Sequence, residues 1–125
     1  MKNPKALFGG LALAVLLCSS WQVARAEGQT TTLRGYVLDS ACAFTKSLKK
    51  PISAECALVC AKAGSPLVIL ADDGEIYWPI SGVTPARSEN AKLLEFAGRR
   101  VSVKGTLYQR GGSHAVVITS VEAAK

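Results

Sequence analysis

Histidine occurs once in these 125 residues, at His114, and no two cysteines stand in a C-x-x-C spacing. With one histidine and no acid or serine set at a recognisable distance from it, Ser/His and paired-carboxylate hydrolysis have little support. Without C-x-x-C, and without a βαβ pattern around its cysteines, the chain lacks a thioredoxin-type redox motif; C-x-x-C-H haem attachment is missing as well. Internal repeats and low-complexity stretches are also absent.

Long apolar runs are scarce: the one extended example is "ALFGGLALAVLLC" near the start. It falls short of the roughly 20 residues a membrane-spanning helix needs. Lys2 and Lys5 precede it, and Ala24 and Ala26 supply the small residues of a cleavage site before Glu27. This pattern predicts a secretory signal peptide over residues 1–26. Cys18 follows Leu17, where a lipoprotein signal would carry a small residue, so ordinary export to the periplasm or medium is expected. Removing 26 of 125 residues leaves 99, a single domain over residues 27–125. Lys2, Lys5 and Arg25 leave with the signal, so 12 of the 15 cations face nine acids and the net charge falls from +6 to +3. That balance is ordinary surface chemistry and argues against nucleic acid as a partner.

Within the mature chain the apolar pattern suggests five strands. "TTLRGYVLDSACA" starts with alternation and holds Gly35, expected to bulge or bend a curved strand. Ser53 is placed to cap a helix over "AECALVCAKAG", which Gly64 and Pro66 stop. "LVILA" and "EIYWPI" flank the turn signal "DDG" and read as a hairpin. "RSENAKLLEFAG" reads as a second helix, and "RRVSVKGTLY" and "AVVITSVE" as the last two strands. In the former, Val101, Val103, Gly105 and Leu107 share one face. The expected fold is mostly β with two short helices: a five-stranded OB-like β-barrel. One helix is inserted between strands one and two, the other between strands three and four.

The segments "GYVLDSAC", "CALVCAKAGSPLVILADDGEIYWP" and "FAGRRVSVKGTLYQRGGSHAVVITSVE" together resemble an uncharacterised family of small secreted bacterial proteins. The shared features are a first strand ending in D-S-x-C, a C-x-x-x-C helix followed by glycine, a D-G hairpin and an A-G-x-x-V-x-V-x-G strand. The resemblance spans nearly all of the mature chain and implies an OB-like barrel; it implies no activity. Members often carry histidine three residues before the middle cysteine, where this chain has Ser53, which weakens a metal site carried over from the family.

Removal of Cys18 leaves an odd number of cysteines: Cys42, Cys56 and Cys60. Cys56 and Cys60 lie four apart on the expected helix, with Cβ atoms about 5–6 Å apart. A disulfide wants about 3.5–4.5 Å. Cys42 is therefore the natural partner of Cys56 or Cys60 in a structural disulfide. Alternatively, the three thiolates with His114 would suit copper or zinc. A third reading makes one of them a redox thiol, with Lys46, Lys49, Lys50 and Lys62 nearby in sequence to favour the thiolate. Tyr77 and Tyr108 are the expected surface platforms for a ligand, with Trp78 assigned to the core beside Ile76 and Ile80. These features suggest an exported, non-catalytic binding or accessory module, taking a small ligand or another exported protein.

Overall fold

The computed structural model describes residues 28–48 and 53–125, so the expected signal peptide, Lys49 and Lys50 lie outside the described residues. Five strands, β1 (Thr30–Asp39), β2 (Leu67–Ala71), β3 (Ile76–Pro79), β4 (Arg100–Arg110) and β5 (Ser113–Ala123), close into a barrel in the order β1-β2-β3-β5-β4. All pairings are antiparallel except β3 with β5. This is an OB-like barrel. The expected inward set of β4 holds: Val101, Val103 and Gly105 are buried and Leu107 packs against the core.

Closure depends on β1, which pairs with β4 along Thr30–Tyr36 and with β2 along Gly35–Asp39. Gly35 belongs to both ladders, and a Cβ there would sit 2.2 Å from the Leu70 carbonyl oxygen. Only a residue without a side chain lets the two backbones approach so closely. Leu33 and Val37 point inward from the same strand and join Ile69, Tyr77, Val103 and Val116 in the main core. Ala61 of the helix α2 (Ala54–Lys62) enters that core.

The connection between β1 and β2 differs from expectation. It holds two helices, α1 (Ser40–Thr45) and α2, where the sequence suggested one. Cys42 therefore lies in α1 and not in a continuing strand. The physical reason is a cap: Asp39 accepts a hydrogen bond from the Cys42 N–H at 2.8 Å, which starts a helix where the apolar pattern alone allowed more strand. Ser53 caps α2 as expected, accepting from the Cys56 N–H at 3.0 Å. The helix between β3 and β4 is shorter than expected, one turn, α3 (Asn90–Leu93), followed by a 3-10 turn over Leu94–Phe96.

A second apolar cluster covers the outside of β1, β2 and β3. Leu38, Val68 and Leu70 face outward and are buried beneath Ala43 of α1, with Leu48, Ile76 and Trp78 around them. This outer core reverses the expectation for β3. Tyr77 is not a surface platform: it is 2 % exposed, inside the barrel, and makes a tilted ring contact with His114 at 5.3 Å. Trp78 faces outward, half-buried, with its ring stacked on Phe44 of α1 at 6.1 Å. Both faces of β3 are apolar because both are covered, so alternation could not say which one faced the barrel axis.

Candidate functional site

The three cysteines meet at the end of the barrel where β1 finishes. Cys42 comes from α1 and Cys56 and Cys60 from successive turns of α2; all three are half-buried free thiols, with no pair at bonding distance. Cys42 and Cys56 line a small cavity together with Leu38, Asp39, Leu48 and Ala57. Its free volume of about 10 Å³ is the space of one water molecule. Cys60 lies beyond that lining, one helical turn along α2 from Cys56.

Asp39 governs the electrostatics here. Its carboxylate is 4 % exposed and accepts from the Cys42 N–H and the Ser65 hydroxyl. Burial by itself would raise its pKa, but the hydrogen bonds from Ser65 and Cys42 outweigh burial and hold it below the usual carboxylate range. The thiols respond in the opposite sense. Burial pushes Cys42 up, and its hydrogen bond to Asp39 adds to the shift; burial also pushes Cys60 up, with the Asp39 charge next. Both are therefore protonated at neutral pH, a poor state for a nucleophile.

Behind Asp39, Ser40 N–H donates to the Pro66 carbonyl at 2.9 Å. Asn90 spans the same joint: its Oδ1 accepts from Leu67 N–H at 2.9 Å and its Nδ2 donates to the Ser65 carbonyl at 2.8 Å. Ser65 and Asn90 were not singled out from the sequence, and Asp39 entered only as the first residue of the D-S-x-C pattern. The available signal was Asp39 standing three residues before Cys42, the spacing of an N-cap.

Replacing Asp39 by alanine removes a cap and leaves the Ser65 hydroxyl unpaired, a loss of about 1–3 kcal/mol. The pH dependence has a definite sign. A carboxyl whose folded pKa is lowered stabilises above its unfolded pKa, near 3.8, and that contribution is lost as pH falls through the folded value. Urea midpoints should therefore differ between wild type and Asp39→Ala at pH 7 and converge towards pH 2.

His114 does not join the thiols. Thr30, at the start of β1, pairs with Thr106, and the β4–β5 turn lies beyond it; Asp39 ends β1 at the opposite end. Beside the β4–β5 turn, His114 Nδ1 lies 3.2 Å from Glu75 Oε2. Among the described residues, no three of His, Cys, Asp or Glu are grouped to hold a metal ion. Tyr108 is at the surface, 41 % exposed. Through Ala115 it lies in one cross-strand row with Trp78, on the outer face, and not with Tyr77. No described helix is long and apolar enough to cross a membrane.

The fold defines the chain as an OB-like barrel with a thiol-bearing helical insertion. Comparison with family models, with curated proteins and with solved structures gives no match.

Proposed function

We propose that the protein is an exported, non-catalytic binding or accessory module whose cysteines stabilise the α1–α2 insertion. The observation that carries this is the shared cavity: Cys42 and Cys56 approach it from two different helices, α1 and α2. Oxidation joins their Sγ atoms and releases two protons and two electrons. A disulfide-bearing thiol protein or oxidised glutathione accepts them and becomes two thiols. The bond closes a loop from residue 42 to 56, 15 residues, and contributes about 3 kcal/mol in the chain-entropy model. Cys60 is left as a protonated, half-buried thiol. The raised pKa values of Cys42 and Cys60 speak against a catalytic thiol, because attack requires the thiolate.

Thiol counting with peptide mapping tests this on full-length protein expressed with its leader and purified without reductant. The expected product starts at Glu27, has one free thiol at Cys60 and yields a Cys42–Cys56 cross-linked peptide. Three free thiols after equilibration with oxidised glutathione would sink the staple. Three thiols shielded from alkylation only when zinc or copper(I) is added would replace it with a thiolate metal protein.

A further inference from the structure

The two ends of the barrel are built unequally. β1 has ten residues and β2 only five, so β2 covers β1 from Gly35 to Asp39 and no further. Beyond that point, Thr30 to Arg34 pair with β4 on one side only. Hydrogen-bond parity shows which groups are left over. Val37 N–H donates to the Arg99 carbonyl at 3.0 Å, so odd-numbered residues of β1 exchange bonds with β4 and even-numbered ones turn the other way. On that other side the last rung is Asp72 N–H donating to the Arg34 carbonyl at 2.9 Å. Thr32, and Thr30 one rung further, direct N–H and C=O towards no strand among the described residues.

A cleft of about 460 Å³ occupies the place that a longer β2 would fill. Leu33, Tyr77 and Leu107 supply apolar surface to it, Asp72 and Asp73 contribute carboxylates from the β2–β3 turn, and Arg34 contributes a cation from the β1 side. Asp72 is paired with Arg100, whereas Asp73 has no cation at ion-pair distance among the described residues. The edge carries little of the usual protection against pairing: Arg34 is its one charged side chain, exposed at the inner limit of the edge. "TTTLR" has no proline, no lysine and no bulge, and its three threonines favour extended backbone.

We propose that the uncovered edge of β1, Thr30 to Arg34, receives an extended peptide of a partner protein with alternating apolar and basic side chains, which adds the strand that β2 does not supply. This deepens the binding-module reading and rests on it. The main-chain groups of Thr30 and Thr32 bind the peptide backbone, as in other strand additions. One set of alternating side chains enters the cleft against Leu33 and Leu107, and a basic residue from the other set meets Asp73. Five residues at about 3.3 Å each give a contact about 17 Å long.

The test uses the full mature protein and a fluorescein-labelled, end-blocked peptide, Lys-Val-Lys-Val-Lys-Val-Lys. Saturable anisotropy is expected, with the Thr30 and Thr32 amides becoming protected from hydrogen exchange. Methylating alternate peptide nitrogens leaves the protein intact and should weaken binding about tenfold or more, the loss of one or two edge hydrogen bonds. Thr32→Pro should do the same, because that N–H bonds nothing in the barrel, and Asp73→Asn should weaken binding several-fold. Equal binding of the methylated peptide, or no saturable binding, would overturn the proposal. So would Thr32 protection without peptide in a protein that sediments as a dimer, which would make the occupant a second copy of this chain. Protection along the Trp78–Tyr108 row instead would overturn the edge site yet leave the binding-module reading standing; the thiol count tests the staple in that reading separately.

Discussion

Gly35→Ala is expected to lower stability by at least about 3 kcal/mol. The added Cβ would lie 2.2 Å from the Leu70 carbonyl oxygen and 2.7 Å from the Ala71 Cα. These are backbone atoms of a strand paired directly with β1, so relief requires the β1–β2 ladder to open. Opening it exposes Val37 and Ile69, both fully buried. A single small domain has a total stability of about 5–15 kcal/mol, so the loss is a large share. In a domain of this size it corresponds to a fall in Tm of about 12 °C or more. Gly82→Ala is the control. Its Cβ would meet only the Val117 side chain, Cγ1 at 3.1 Å and Cγ2 at 3.9 Å, which can yield, and a change of less than about 1 kcal/mol is expected. Thermal unfolding followed by circular dichroism compares the two. A Gly35→Ala protein melting within a few degrees of wild type would show that Gly35 does not govern closure.

Gly35 was legible as a bend because glycine inside an alternating strand has few other uses; that two ladders share it was not, since pairing is non-local. Strand order was legible for a related reason. Turn residues and apolar runs are local signals, and five runs with these connections admit few arrangements. Local competition decided the errors. "YVLDSACA" supports strand by alternation and helix by its Asp39 cap, and the cap wins because Asp39 also accepts from Ser65, which is 26 residues away in sequence. The cysteine site was half legible. Spacing excluded a bond between Cys56 and Cys60 within one helix and pointed to Cys42, and the structure brings Cys42 and Cys56 to one cavity. The depth of burial and the carboxylate that together keep Cys42 and Cys60 protonated come from the packing of α1 and α2 on β1, which no motif records.

The assignment of the two aromatic residues of β3 can be tested directly, because truncating them should give unequal results. Tyr77→Ala is expected to cost about 3–5 kcal/mol, the range for deleting a large ring from a packed interior. Tyr77 heads the fully buried side chains by volume and contacts β2 and β5 at once, through Ile69 in the ladder and His114 across the ring. Its removal would leave space inside the barrel that the neighbouring Ile69 and Val116 cannot fill without shifting their strands. Trp78→Ala removes more atoms and should cost less, about 1–2 kcal/mol, because its ring is half-buried and its stacking partner, Phe44, is itself 58 % exposed. The order Tyr77 above Trp78 is the reverse of what alternation with Ile76 and Ile80 suggests. Urea unfolding of both variants, with equal m-values as the check that both still fold to the same compactness, measures it. A Trp78→Ala protein less stable than Tyr77→Ala would place Trp78 at the barrel axis. It would also turn Tyr77 outward, removing it from the cleft and leaving Leu33 and Leu107 as that cleft's apolar surface.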